Sequence, residues 1–397
     1  MSATPKILVV AGGEWQVPLV QKVKSMGFMA LNSNLYPDSP AFQFADGFLV
    51  ADVRDREKNL AYARAAQVSA VITDQSDIAV PTVAYVCEQL GLPGIGTAAA
   101  DLFTDKLLMR HFCATHGFPA VKYRLCREAN EIRDFTGEVG FPCVVKPPRN
   151  QSSRGVTKVS KMSEIDAAWQ AAKTYSDDGR VLAEQFIGGV ELTVEGIKLS
   201  TGHVSLCVSR KRHYDDFPMV ARQLLYGHQD EEIDYEALKG LHDQLINAMG
   251  LPFGITHAEY KYDEGTFYLI ETAARGGGTR ISSDIVPLMS GVDVNALLVR
   301  LALGETVASP AVQRLAQYVA LDFWEFPLGR VASITGLDQV LSMAGVVTAG
   351  LNIHPGDEVR PPADDRVRHG FVIARSDSLE GLQQLLKRSR ETIQVHY

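Results

Sequence analysis

The stretch His257–Gly278, HAEYKYDEGTFYLIETAARGGG, decides the fold. It reads as two antiparallel strands joined by the turn Asp263-Glu264-Gly265 and followed by a glycine-rich loop. Glu259 and Glu271 stand on the two consecutive strands, and pairing of the strands lets both carboxylates face one side of the sheet. Carboxylates so placed offer hard oxygen ligands to Mg2+, which completes its shell with waters and phosphate oxygens. His257, two residues before Glu259, shares its face. Arg275, four residues past Glu271, sits where a guanidinium and backbone N–H groups can meet a developing anion.

The segments before this hairpin add charge in a consistent order. VELTVEGIKL (190–199) and HVSLCVSRKR (203–212) read as further antiparallel strands, separated from the hairpin by a helix around residues 234–249. In AEQFIGGVELTVEG, Glu184 ends a strand and Glu191 follows the Gly188-Gly189 turn. Extended backbone at Gln185, Phe186 and Ile187 can pair with an adenine edge, and Glu191 can accept bonds from ribose hydroxyls. Lys146 ends the apolar run CVVK, a point charge suited to phosphate oxygens. Beside it, the small residues Ser152, Ser153 and Gly155 let backbone N–H groups approach a polyphosphate. Taken singly, Lys146 also reads as a strand-end lysine and the two glutamates as an exposed hairpin; few structural roles require the whole grouping. Lys211, Arg212 and His213 form a basic cluster, Asp77 follows the strand SAVITD, and Arg280 can hold a carboxylate through two parallel bonds.

Residues 6–97 alternate apolar runs with helical patterns, the βαβ signature of a parallel sheet. Gly12-Gly13 follows the first strand without completing a G-x-G-x-x-G, so it reads as a tight turn, with a nicotinamide site as the lesser alternative. A boundary falls near residue 98. TAAADLFTDKLLMRHFCATHG then reads as one helix capped by Thr97 or Asp101 and ending at Gly117. From about residue 308, short strands with Gly and Pro punctuation lead to a closing helix, LEGLQQLLKRSRETI. The 397 residues carry a net charge of −8 without blocks of like charge, which argues against a nucleic-acid surface. KILVVAGG is too short to span a bilayer, and the expectation is a cytoplasmic chain without a membrane partner. Five cysteines lacking any C-x-x-C pair indicate neither a disulfide framework nor a zinc site.

The ordered set resembles the ATP-grasp superfamily, and the form E-x-A-x-R-x-G-G at Glu271–Gly278 resembles its L-amino-acid-ligase-like branch of carboxylate–amine ligases. The resemblance implies α/β and α+β architecture in three parts. These are an N-terminal Rossmann-like parallel-sheet domain (1–98), an ATP-grasp domain (99–307, with a small subdomain about 118–187) and a C-terminal subdomain (308–397) packing on the ATP-grasp core. It implies Lys106 and Lys146 on the nucleotide phosphates, Ser152, Ser153, Gly155 and Val156 in the phosphate-covering loop, and Glu184, Gln185, Phe186 and Ile187 at the adenine. It further implies Glu191 on the ribose, His213 beside the nucleotide, Glu259 and Glu271 on the metal, and Arg275, Gly277 and Arg280 at the substrate. Arg275, His257 and Lys146 then form the catalytic set.

The implied cofactors are ATP and Mg2+, with Mn2+ able to replace it. The implied partners are a small carboxylate and an amine, such as amino acids, and a second copy of the chain as a homodimer. ATP would convert the carboxylate to an acyl phosphate that the amine attacks, giving an amide, ADP and phosphate. A carboxylase or carboxylate–thiol ligase on the same scaffold is one alternative. A nucleotide-binding regulator without turnover is another, because Ala273 stands where many relatives place an asparagine ligand. The phosphate loop also has the single glycine Gly155 where relatives carry several.

Overall fold

The computed structural model of the chain describes residues 4–149, 154–364 and 367–397. Strands β1 (Lys6–Val10), β2 (Met29–Asn34), β3 (Gly47–Val50) and β4 (Ala70–Ile72) form a parallel sheet in the order β3-β2-β1-β4. The apolar runs of β1 and β4 are continuous and buried, whereas edge strand β3 leaves Phe48 and Val50 exposed. At the end of β1, a Cβ on Gly12 would lie 2.2 Å from Asn32 Oδ1, so this glycine serves close packing of the turn.

The next segment breaks differently from the single helix expected. Two helices form, Thr97–Leu102 and Lys106–Thr115, and neither Thr97 nor Asp101 caps the second. Asp105 does so, its carboxylate accepting from the N–H groups of Leu107 and Leu108 at 2.9 and 3.4 Å. The break places Lys106 in the first turn, and its N–H donates to the Pro148 carbonyl at 3.0 Å. Strands β5 (Tyr123–Cys126), β6 (Cys143–Lys146), β7 (Thr157–Val159) and β8 (Val181–Gln185) make an antiparallel sheet in the order β5-β8-β6-β7. Helices Ala129–Val139 and Ile165–Thr174 cover one side of it.

Strands β9 (Val190–Leu199), β10 (Gly202–His213), β11 (Ala221–Gly227), β12 (Gly254–Asp263), β13 (Thr266–Ala273) and β14 (Tyr318–Trp324) belong to an eight-stranded antiparallel sheet. Its order is β13-β12-β9-β10-β11-β14, continued by Gly370–Ser376 and Val346–Leu351. The C-terminal strands therefore extend this sheet edge to edge, while Trp324, Val340, Val359, Leu382 and Leu386 gather a separate apolar core on them. One face packs on helices Lys106–Thr115 and Tyr235–Ala248 through Leu192, Val194, Val208 and Tyr260. The other faces the N-terminal domain. All five cysteines are buried thiols without a disulfide. Among the described residues, no single helix is long and apolar enough to cross a membrane.

Candidate active site

The β12–β13 hairpin owes its register to two features. Glu264 and Gly265 both have positive φ (46° and 81°), a two-residue loop whose geometry suits twisted strands and pairs Asp263 with Thr266. Counting back without interruption would set Glu259 opposite Ile270, with Glu271 on the far face. A β-bulge after Glu259 leaves Ile270 unpaired, and Glu259 then stands directly opposite Glu271. Both carboxylates thus reach the face that lines a cavity of about 400 Å³.

Lysine ammonium groups stand on Glu191, Glu259 and Glu271. The Lys106 ammonium lies 2.7 Å from Glu271. Lys211 lies 2.6 Å from Glu259 and 2.7 Å from Glu191, which also meets Lys261 at 3.2 Å and His213 at 3.3 Å. Burial opposes the charge of Lys211, yet Glu191 and Glu259 together hold its pKa above the ordinary lysine range. Burial also works against ionised Glu259, but Lys211 and the His257 hydrogen bond hold its carboxyl well below its usual value. Glu259 is therefore an ionised oxygen donor at neutral pH. Among the described residues no group of three or more His, Cys, Asp or Glu is arranged to hold a metal. A pair of carboxylates fits Mg2+ arriving with a polyphosphate, since phosphate oxygens and waters fill the remaining positions.

Lys146 is 4% exposed and bonds Glu184 at 2.7 Å. Glu184 in turn accepts from the buried Arg110 Nε at 2.8 Å. Burial pushes the Lys146 pKa down to about 8; Arg110 and Lys106 add to the fall and Glu184 opposes it. Burial opposes ionisation of Glu184 as well, but Arg110 and Lys146 keep its pKa low. Arg110 also donates to the Ile270 carbonyl, the bulged residue of edge strand β13. One guanidinium thus braces both the lysine strand and the register of Glu271. Arg110→Met leaves a buried carboxylate without that partner and is expected to destabilise the chain by about 3–5 kcal/mol; urea unfolding measures this, and a loss below about 1 kcal/mol would contradict the bracing role.

Arg275 is gripped by Asp77 of the N-terminal domain, Nε to Oδ1 at 2.8 Å and Nη2 to Oδ2 at 2.6 Å. Asp74, fully buried, accepts from the Gly276 N–H at 2.8 Å and the Ser282 hydroxyl at 2.5 Å. Thr279 and Arg280 both adopt left-handed φ (54° and 64°), which costs roughly 1–3 kcal/mol each. Gln75 meets this strained turn, its Oε1 accepting from the Arg280 N–H at 3.1 Å. The N-terminal domain therefore sets the geometry of the arginine loop.

Of the residues read from sequence, Lys106, Lys146, Val156, Glu184, Gln185, Phe186, Ile187, Glu191, His257, Glu259, Glu271 and Arg275 line the one cavity. Glu184 enters as an ion-pair partner of Lys146, beyond any backbone role at a nucleotide base. Four others stand back from the lining. Arg280 pairs with Asp284 at 2.8 Å, and Gly277 lies behind His257. His213 stands behind Glu191. Gly155, with φ of 71°, packs against Tyr175 and Ala171. Ser152 and Ser153 lie outside the described residues. Sequence reasoning passed over Arg110, Lys261, Asp74 and Glu195. Lys261 and Glu195 had a visible signal, the period-2 series 257-259-261 and 191-193-195. Arg110 lies one helical turn past Lys106.

The family model described as an ATP-grasp domain matches residues 139–284, and that described as L-amino acid ligase C-terminal domain 2 matches residues 323–397. Formate-dependent phosphoribosylglycinamide formyltransferase of Shewanella frigidimarina is 26% identical over 99% of the chain and 96% of that protein. D-alanine–D-alanine ligase of Bordetella pertussis is 37% identical, over 28% of this chain and 36% of that protein. The crystal structure of L-amino acid ligase from Bacillus licheniformis shares the fold with a TM-score of 0.84, at 19% identity and with full coverage of both chains. The ATP-grasp domain and the L-amino acid ligase C-terminal domain make the chain a member of the ATP-grasp superfamily of ATP-dependent ligases.

Proposed function

We propose that the chain joins a small carboxylate to an amine through an acyl phosphate, releasing ADP and phosphate. The observation that carries this is the pairing of Glu259 with Glu271 on one face, each under a lysine ammonium, inside the cavity shared with Lys146 and Arg275. The apolar side chains Val121, Val144, Phe186, Ile187 and Ile270 line the cavity and offer a surface to a base. Glu259 and Glu271 would hold Mg2+, which supplies charge neutralisation between the terminal phosphates.

Lys106 and Lys146 would exchange carboxylate partners for phosphate oxygens. Arg275 would face the carboxylate that accepts the phosphoryl group, its guanidinium spreading the charge that builds there. Trp15, Leu224, Leu321 and Phe323 also line the cavity and suit the apolar part of a small metabolite. The amine's attack forms the C–N bond and breaks the bond from acyl carbon to phosphate oxygen, and no protein nucleophile is required.

Hydroxylamine tests this. With ATP, Mg2+ and a panel of amino acids and short acids including formate, the expected result is a hydroxamate with matching ADP release. Product formation from an accepted acid that never yields a hydroxamate would contradict the acyl phosphate.

A further inference from the structure

We propose that Glu195 is a positioning residue that fixes the His257 imidazole with its Nε2 side turned toward the metal carboxylates. What His257 then does rests on the ligase reading above; its orientation does not. Glu195 lies directly opposite His257 in the β9–β12 register and is 1% exposed. Its Oε1 accepts from His257 Nδ1 at 2.7 Å and meets the Tyr226 hydroxyl at 3.4 Å. Oε2 is buried and lacks a partner among the described residues.

That orphan oxygen is informative. A buried, half-satisfied carboxylate costs stability, and an apolar residue would fill the row more cheaply. Strands β9 and β12 are already bonded along nine register pairs, from Gly254↔Lys198 to Tyr262↔Val190, so they need no ionic staple. The beneficiary of the carboxylate is the imidazole. With Nδ1 engaged, the ring has only Nε2 to present, and this nitrogen lies 3.7 Å from Glu259 Oε1 on the cavity wall. The glycine loop packs against the same edge of the ring: a Cβ on Gly277 would lie 3.0 Å from Nδ1. Ring orientation is thus set by the Glu195 bond and by close packing of the glycine loop, both at Nδ1. An N–H held in place in this way meets phosphoryl oxygens without reorganising, which favours the charge distribution of the reaction over that of the ground state.

Two measurements on the full chain test the proposal. In proton NMR of 15N-histidine-labelled protein without ligands, His257 Nδ1–H is expected at low field, disappearing in His257→Gln and moving upfield in Glu195→Gln; an unmoved resonance in Glu195→Gln overturns the proposal. In a double-mutant cycle on ADP release, Glu195→Gln is expected to lower kcat about 10- to 100-fold with the ATP KM held within about 2-fold, and to add less than about 2-fold in the His257→Gln background. Equal losses in both backgrounds would mean a structural role and overturn it. If Glu195→Gln does not fold, Glu195→Asp keeps the charge but withdraws it from Nδ1, and the same outcomes apply. A wild-type chain without acid- and amine-dependent ADP release contradicts the ligase reading, while the resonance still decides the role of Glu195.

Discussion

Glu271→Gln is expected to lower kcat by roughly 10³-fold while leaving the melting temperature within a few degrees of wild type. The amide keeps the size and one carbonyl oxygen of the carboxylate but removes its charge. Glu271 is a quarter exposed on an edge strand and bonds Lys106, so the fold loses little. What is lost is one of the two anionic oxygens that face the cavity opposite each other across the β12–β13 pair. Steady-state ADP release, with circular dichroism as the fold control, measures both quantities. Turnover within about 10-fold of wild type would remove Glu271 from the metal site.

The second large effect concerns Lys146 and pH. Burial brings its pKa down to about 8, so the ammonium that would meet the phosphates begins to lose its proton there. For kcat/KM of ATP the expected profile is flat near neutrality and falls about tenfold per pH unit above about 8. In Lys146→Arg the guanidinium does not titrate, and the alkaline fall disappears even though the rate is lower. The effect on stability has the opposite sign: between pH 8 and the ordinary lysine value of 10.5 the unfolded chain holds the proton and the folded one has released it, so stability from this group rises with pH. An alkaline fall that persists unchanged in Lys146→Arg would assign it to another group.

Much of this site was legible in the sequence because its chemistry is carried by strand-borne side chains with a period of two. HAEYK places His257, Glu259 and Lys261 on one face, and VELTVE does the same for Glu191 and Glu195. The pairing of Glu259 with Glu271 was anticipated for an incomplete reason. The Glu264-Gly265 turn alone would send Glu271 to the far face, and only the bulge at Ile270, held from outside by Arg110, returns it. A bulge leaves no local signature in YLIETA; it is set by a helix 160 residues earlier in the chain. Long range also explains the misplaced cap and the pairing of the C-terminal strands. Asp105 outcompetes Thr97 and Asp101 as the cap where Arg149 approaches it at 2.8 Å. The C-terminal strands join the central sheet because β14 finds its partner in β11, about 100 residues back.

The N-terminal domain contributes more than its βαβ pattern suggested. Asp74, Gln75 and Asp77 follow a strand of three residues, yet they bond Gly276, Ser282, Arg280 and Arg275. This is where open parallel sheets usually present binding residues, beyond the carboxyl ends of their strands. Here the residues meet another part of the same chain.

The most direct measurement is a crystal structure of the full chain with Mg2+ and a non-hydrolysable ATP analogue. The expected result is a metal about 2.0–2.1 Å from oxygens of both Glu259 and Glu271, with the Lys106 and Lys146 ammonium groups moved from their carboxylates onto the phosphates. A nucleotide bound away from this cavity, or a metal touching neither glutamate, would contradict the account.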